Sequence, residues 1–216
     1  MKLLDYYENV VLKTIKTDLP PLLNKLHMAL GFASEMLSEF TVADINGDVV
    51  NAVEEIGDAY YFVVGFAHFY NVHIPNDDEY DKVMSAMVLK FGLYTNDTLF
   101  QRIKTNPLDV INRLLGDMCT ILKKEITSNV LKLDGKILTH EDLSEIIYMT
   151  LYAFSYYASQ KFGENDSDPI GKIREINGLK LVGIRHKDGF SVDTDLNRNL
   201  EAERKLLTEK VNELVG

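Results

Sequence analysis

Two long stretches without proline constrain the fold of this chain more than any other feature. No proline occurs between Leu22 and Ile74 or between Leu108 and Asp168, so neither stretch loses a helical hydrogen bond to a proline ring. In the first stretch apolar residues recur every three or four positions, the spacing of an amphipathic helix: Leu22, Leu26, Leu30, Ala33 and Leu37. The pattern predicts an all-α fold in which long helices pack side by side.

Turn and capping signals predict where the helices begin and end. Asn46-Gly47 marks a turn, and Asp48 is suited to cap a second helix that runs to about residue 70. Residues 167–191 are predicted to be irregular or to form short elements. Further helices are predicted at about 79–91, 107–126, 139–161 and 195–213.

The two proline-free stretches resemble each other. Glu54–Tyr61 matches Glu141–Tyr148 in the order of its acidic, apolar and aromatic residues, and each segment follows a turn signal, Asn46-Gly47 or Asp134-Gly135. The two hairpins are either a diverged repeat or two amphipathic hairpins with a similar pattern. We predict one all-α domain over residues 1–216. It has a four-helix-bundle core formed by hairpins at about 22–72 and 107–162, additional helices, and a C-terminal segment at about 170–213.

The negative charge of the chain is concentrated in one segment. Leu26–Asp81 contains eleven acidic residues and no lysine or arginine, so it carries −11 against a net charge of −10 for the whole chain. A chain with this balance lacks the broad basic surface through which proteins bind nucleic acid without sequence preference. The charge instead suggests a local role for the acidic segment.

The composition also limits the compartment and the class of site. A single cysteine, Cys119, excludes an intramolecular disulfide and a cysteine-rich zinc module, and it suits a reducing compartment. The longest apolar run, Ala59–Ala67, is far shorter than the roughly 20 residues of a membrane-spanning helix. Asp5 and Glu8 lie where a signal peptide would have its apolar centre. We therefore expect a cytoplasmic protein with no membrane or nucleic-acid partner.

Acidic side chains fall on shared faces of the first two predicted helices. Glu35 and Glu39 are four residues apart on one helix, and the second helix carries polar residues at spacings of three, four and three: Asp48, Asn51, Glu55 and Asp58. Carboxylates buried without partners cost several kcal/mol each. If the two faces meet, Mg²⁺ would stabilise them, because it prefers oxygen ligands. The alternative is a solvated acidic face, which apolar neighbours such as Phe32 and Ile56 disfavour.

Two parts of the chain resemble a known enzyme family. HMALGFASE (His27–Glu35) followed by EEIGDAYY (Glu54–Tyr61) is similar to the MazG-like, all-α nucleoside triphosphate pyrophosphohydrolases, a superfamily that includes the dimeric dUTPases and the phosphoribosyl-ATP pyrophosphatases. Near the C-terminus, NGLKLVGIRHKDGFS (Asn177–Ser191) and NRNLEAERK (Asn197–Lys205) resemble the tail of bacterial and phage members of this group.

The acidic residues can be compared with the signature of this family, which is E-x-x-E on one helix and E-x-x-D on the next. Glu55 and Asp58 match the second half, and Glu35 matches the first glutamate. Ser38 stands where the second glutamate is expected, and Glu39 follows it directly. The resemblance implies that Glu35, Glu39, Glu55 and Asp58 hold Mg²⁺, with Mn²⁺ as the alternative ion.

The resemblance also implies a reaction and roles for other residues. The family cleaves nucleoside triphosphates between the α- and β-phosphates and releases a nucleoside monophosphate and pyrophosphate. Glu39 or Glu54 would then orient or deprotonate the attacking water. Lys180 and Arg185, which match basic positions of the C-terminal motif, would bind the substrate together with Asn177.

Two further residues are candidates for substrate contact. His27 lies two helical turns before Glu35 and faces roughly the same way, although a structural histidine is the alternative. Lys124 lies beside Lys123 on the helix of the second hairpin that corresponds to the acidic helix of the first. A solvated helix end is the alternative interpretation of these lysines.

We therefore expect a Mg²⁺-dependent nucleotide pyrophosphohydrolase that acts on (d)NTPs. The serine at position 38 and the diverged second hairpin leave two alternatives open. One is a catalytically decayed helical protein that binds nucleotides or a partner, and the other is a purely structural α-bundle. The internal repeat would let one chain supply both halves of a site. The alternative is a homodimer. The sequence does not indicate which nucleotide is preferred.

Overall fold

The computed structural model describes residues 1–16, 18–94, 98–163, 166–187 and 198–216. In chain order the elements are α1 (Leu3–Tyr6, Tyr7–Val11 and Leu12–Thr14), α2 (Pro21–Ser34, Glu35–Phe40 and Thr41–Asn46), α3 (Val49–Phe69), α4 (Asp77–Tyr94), α5 (Thr98–Thr105), α6 (Pro107–Ser128), β1 (Lys132–Leu133), β2 (Lys136–Ile137), α7 (His140–Phe162), α8 (Pro169–Gly178 and Leu179–Arg185) and α9 (Leu200–Val215). The middle parts of α1 and α2 and the second part of α8 are π-helical. The predicted all-α fold is confirmed.

Four long helices form the core of the molecule. α2 and α3 make one hairpin and α6 and α7 make the other, while α2 packs against α6 and α3 packs against α7. Each of these helices therefore has two neighbours, which is the arrangement of a four-helix bundle. α3 also contacts α1, α8 and α9, so most of its side chains are removed from solvent. Within the described residues, no helix combines the length and the hydropathy needed to cross a membrane.

The predicted turn between α2 and α3 is confirmed. Gly47 adopts a left-handed conformation with φ of 66°, which glycine reaches without a steric penalty. The Asp48 side chain accepts a hydrogen bond from the backbone N–H of Asn51 at 3.1 Å and so caps α3. This short connection fixes the acidic faces of α2 and α3 side by side.

Irregular structure or short elements were predicted at 167–191, and residues 169–185 form the continuous helix α8; residues 188–191 lie outside the described part of the chain. Glycines in this segment obscured the helical pattern. Gly178 serves packing rather than a turn, because a Cβ atom there would lie 2.8 Å from Cγ2 of Val10. The small residue lets α8 approach α1 closely.

Several other elements differ from the prediction in smaller ways. The last helix begins at Leu200 rather than at residue 195, and residues 195–197 are outside the described part of the chain. Helices α1 and α5 and the short β-hairpin around Asp134-Gly135 were not predicted. These elements are short, so few residues carry their periodicity.

Glu125 joins three helices of the core. Its Oε1 accepts a hydrogen bond from Nζ of Lys25 on α2 at 2.6 Å, and its Oε2 accepts one from the hydroxyl of Tyr70 at the end of α3. The Lys25 ammonium also lies 4.0 Å from the centroid of the Tyr70 ring. The Lys25 and Glu125 side chains are mostly buried, so this pair is screened little by solvent.

We expect Glu125→Ala to lower the free energy of unfolding by about 2–4 kcal/mol, because Lys25 and Tyr70 would remain buried without their acceptor. Urea denaturation at neutral pH measures this change. Glu8→Ala removes an exposed glutamate and is the matched control, with an expected change within about 0.5 kcal/mol. An unchanged unfolding midpoint for Glu125→Ala would show that the pair contributes no net stability.

Candidate functional site

Three carboxylates converge between α2 and α3. Glu35 begins the π-helical part of α2, while Glu55 and Asp58 are three residues apart on α3 and therefore face the same way. One oxygen atom from each carboxylate lies within 4.8 Å of the other two. The structure thus brings together three of the four residues proposed as metal ligands.

Burial makes the ionised forms of two of these groups unfavourable. Glu55 is only 9% exposed. Burial, the hydrogen bond with Glu35 and the negative charge of Asp58 raise the pKa of Glu55 to about 9. Burial also raises the pKa of Glu35 to about 7, although the hydrogen bond with Glu55 acts in the opposite direction. At neutral pH and without a bound cation, the two carboxyl groups therefore retain a proton between them.

Lys180 supplies a positive charge to the cluster. Its side chain is 0% exposed, and its Nζ donates to both oxygens of Asp58 at 2.6 and 2.5 Å and to Oε1 of Glu54 at 3.2 Å. Burial lowers the pKa of Lys180, but the charges of Asp58 and Glu54 outweigh that effect and raise it above its ordinary value. The residue was predicted to bind substrate, and the structure shows it bound to the carboxylates.

Asn177 is a second neighbour of Asp58. It is 3% exposed, its Nδ2 donates to Oδ1 of Asp58 at 2.5 Å, and its Oδ1 accepts from the Tyr6 hydroxyl at 2.6 Å. The predicted role of Asn177 was substrate contact. In the structure its amide links Tyr6 on α1 to the carboxylate cluster, and no sequence signal pointed to Tyr6.

Glu39, the fourth proposed ligand, is not one of the three carboxylates that converge within 4.8 Å. Its side chain is exposed, and its Oε1 accepts a hydrogen bond from Oγ of Ser34 at 3.4 Å. Residues 35–40 wind as a π-helix, in which the hydrogen bonds run from i to i+5. Glu39 and Ser38 line a hollow of about 270 Å³ that also includes Asp48, Asn51 and Glu55.

A larger cavity of about 370 Å³ adjoins the three carboxylates. Glu35 and Asp58 form part of its wall, and the rest of the lining is mixed aromatic, apolar, basic and hydroxyl: Thr14, Lys16, Leu19, His27, Tyr61, Phe62, Leu181, Arg185 and His186. A volume near 300–1,000 Å³ with a few converging polar groups is typical of a small-molecule site. Among these groups, Thr14, Lys16 and His186 were not singled out from the sequence.

The remaining predicted residues lie at different distances from this cavity. Arg185 lines it and forms hydrogen bonds with Glu203 through Nε at 3.3 Å and Nη2 at 2.7 Å. His27 also lines it, with its ring edge-on to Phe62 at 5.7 Å between centroids. Lys124 is exposed on α6 and is not among the residues that line the cavity.

Arg204 on α9 contacts the acidic segment and was missed from the sequence. Its Nη1 donates to Oδ1 of Asn51 at 2.6 Å, and its Nη2 lies 3.6 Å from Oδ2 of Asp48. The residue belongs to NRNLEAERK, one of the stretches that carry the family resemblance. Sequence reasoning did not assign it a partner, because the contact joins positions about 150 residues apart.

No family model, no curated protein and no solved structure matches the chain.

Proposed function

We propose that the chain is a Mg²⁺-dependent nucleotide pyrophosphohydrolase that cleaves a (d)NTP to the (d)NMP and pyrophosphate, with Mn²⁺ as the alternative ion. The observation that carries the proposal is the convergence of Glu35, Glu55 and Asp58 within 4.8 Å beside a cavity of about 370 Å³. The resemblance of two stretches of the chain to MazG-like pyrophosphohydrolases supports the same reaction class.

The donor set fits a small, hard divalent cation. All three converging groups are carboxylates, and Mg²⁺ prefers oxygen ligands over nitrogen and sulfur. Lys180 pairs with Glu54 and Asp58, whereas Glu35 and Glu55 are hydrogen-bonded to each other. A divalent cation would stabilise the ionised forms of Glu35 and Glu55, whose pKa values are raised by burial.

The proposed reaction assigns a role to each carboxylate. Glu35, Glu55 and Asp58 would hold the cation, which supplies charge neutralisation at the phosphoryl oxygens and lowers the pKa of water. Glu54 is anchored by Lys180 at 3.2 Å and is the candidate base that accepts the proton of the attacking water. Glu39, exposed on α2, is the other candidate for that proton.

The cavity offers different groups to the phosphates and to the base. The guanidinium of Arg185 donates two N–H bonds to the Glu203 carboxylate, and phosphate oxygens can accept from a guanidinium in the same two-pronged geometry. Phe62, Tyr61 and His27 form an aromatic wall, on which a base can stack. The substrate class that fits both features is a nucleotide.

A panel of (d)NTPs incubated with Mg²⁺ tests the proposed reaction. We expect nucleoside monophosphate and pyrophosphate as products, phosphate release only after inorganic pyrophosphatase is added, and no turnover in EDTA. Phosphate release without added pyrophosphatase would show that a different bond is cleaved. If no (d)NTP yields these products, the proposed pyrophosphohydrolase activity is wrong.

A nucleotide-binding protein without hydrolytic activity is the second candidate function. It is favoured by one observation, which is that Glu39 lies outside the carboxylate cluster, so three rather than four acidic ligands converge. A thermal-shift titration with (d)NTP and Mg²⁺ separates the two functions. A raised melting temperature together with zero turnover would support binding alone.

A further inference from the structure

A chain of two hydrogen bonds connects α1 to the carboxylate cluster. The hydroxyl of Tyr6 donates to Oδ1 of Asn177 at 2.6 Å, and Nδ2 of the same amide donates to Oδ1 of Asp58 at 2.5 Å. Tyr6 is 0% exposed and Asn177 is 3% exposed, so water does not compete for either bond. Tyr6 itself does not line the cavity beside Asp58.

The two bonds together hold the amide of Asn177 in one orientation. Only the oxygen of a side-chain amide accepts hydrogen bonds, and only its nitrogen donates them. Because the Asp58 carboxylate can only accept, the NH₂ group of Asn177 faces Asp58, and the amide oxygen is left to accept from the Tyr6 hydroxyl. A flipped amide would instead bring its oxygen against the Asp58 carboxylate, where two acceptors repel each other.

The close approach of α8 to α3 restricts the same amide from its other side. A Cβ atom at Gly57 would lie 3.0 Å from Cβ and 3.1 Å from Nδ2 of Asn177. Gly57 therefore provides the space that Asn177 occupies next to Asp58. Helix α3 would gain intrinsic helix stability from alanine at this position, so the glycine serves the contact rather than the helix.

Asp58 is consequently held by a nearly complete set of donors. Its two oxygens accept three hydrogen bonds, two from Lys180 and one from Asn177, of the roughly four that a carboxylate can accept. The remaining lone pair of Asp58 is available to a cation that Asp58 shares with Glu35 and Glu55. One carboxylate oxygen from each of the three residues lies within 4.8 Å of the other two. The direction of that remaining lone pair depends on where the amide of Asn177 points.

We propose that Tyr6 is a positioning residue for the cation site and acts on Asp58 through the amide of Asn177. This inference rests on the proposed function, because it assumes that Asp58 binds a divalent cation. Partners that orient a metal ligand in this way change metal affinity by roughly 10–100-fold when they are removed. The ring of Tyr6 would contribute to core packing, and its hydroxyl would position the amide of Asn177 at the cation site.

Tyr6→Phe tests the role of the hydroxyl. We expect the Kd for Mn²⁺, measured on the full-length chain by electron paramagnetic resonance, to rise about tenfold. Tyr60→Phe is the matched control, because Tyr60 is also buried, packs edge-on against Tyr6 and accepts a hydrogen bond from Arg174. The control should leave the Kd within twofold, even where its melting temperature falls as much as that of Tyr6→Phe.

The outcomes separate this inference from the proposed function. If the wild-type chain binds no Mn²⁺, the proposed function is wrong and the inference falls with it. If the wild-type chain binds Mn²⁺ and Tyr6→Phe binds it equally well, only the inference is wrong. An equal loss of affinity in Tyr6→Phe and Tyr60→Phe would also overturn it, because general loosening of the core would then explain both.

A double-mutant cycle tests whether Tyr6 acts through Asn177. Asn177→Leu removes the amide, so adding Tyr6→Phe to it should cause no further loss of Mn²⁺ affinity. If the losses of Mn²⁺ affinity in the two single variants multiply in the double variant, Tyr6 acts by an independent route and the proposal is contradicted.

Gly57→Ala tests the amide of Asn177 in a chain that keeps the native Tyr6. It therefore also covers the case in which Tyr6→Phe does not fold. It should weaken Mn²⁺ binding severalfold, and unchanged binding would count against the proposal.

Discussion

Asp58→Asn and Glu55→Gln are each expected to reduce Mg²⁺-dependent turnover of the preferred (d)NTP by roughly 10²–10³-fold. Each change removes one negative charge from a cluster whose oxygens lie within 4.8 Å of one another and keeps the shape of the side chain. Asp58→Asn also replaces an acceptor of three hydrogen bonds with a group that can accept at only one of its two terminal atoms. Initial rates at several Mg²⁺ concentrations measure the loss in kcat and in the dependence on metal.

Asp44→Asn is the matched control for this prediction. Asp44 is an exposed aspartate on α2. Its replacement by asparagine removes one negative charge from the acidic segment at a position outside the cluster. Turnover in this variant should stay within twofold of the wild type. If both Asp58→Asn and Glu55→Gln retain wild-type turnover, the cluster is not the active site.

The stability of the protein without divalent cations is expected to fall as the pH rises from about 5 to about 9. Folding raises the pKa of Glu35 to about 7 and that of Glu55 to about 9, from an ordinary value of 4.5. A carboxyl group with a raised pKa in the folded state stabilises the protein while it is protonated, and this stability is lost as the pH rises through the folded pKa. The loss is on the order of several kcal/mol, or roughly 10 °C in melting temperature.

Thermal unfolding across this pH range, in EDTA and in Mg²⁺, measures the effect. Mg²⁺ should flatten the curve, because carboxylates that bind a cation are stable in their ionised form. Glu55→Gln should flatten the curve in EDTA as well, since glutamine does not titrate, whereas Asp44→Asn should keep the wild-type slope. Equal slopes for the wild type and Glu55→Gln in EDTA would contradict the raised pKa of the buried pair.

The fold was largely predictable because its strongest signals are local. Proline-free stretches and a three-to-four spacing of apolar residues predicted α2, α3, α6 and α7, and Asn46-Gly47 with Asp48 predicted the turn between the first two. The helix at 169–185 was not predicted. Its glycines resemble turn residues in the sequence, and only the contact between Gly178 and Val10 shows that they allow close packing.

The carboxylates of the candidate site were predictable for a similar reason. Glu55 and Asp58 are three residues apart on one helix, and a short turn brings Glu35 from the preceding helix against them. Glu39 could not be assigned in this way. Its spacing of four from Glu35 predicted a shared face, but its side chain is exposed and accepts a hydrogen bond from Ser34, an outcome that residue spacing does not decide.

The sequence by itself determined the helical class of this protein, the boundaries of its main hairpins and the concentration of negative charge in Leu26–Asp81. These properties follow from residue spacing along one helix or across one short turn. Only the tertiary structure decided that Lys180 pairs with Asp58 and Glu54, and that Tyr6 reaches Asp58 through Asn177. Those contacts join residues more than a hundred positions apart, and the packing of α8 against α1 and α3 creates them.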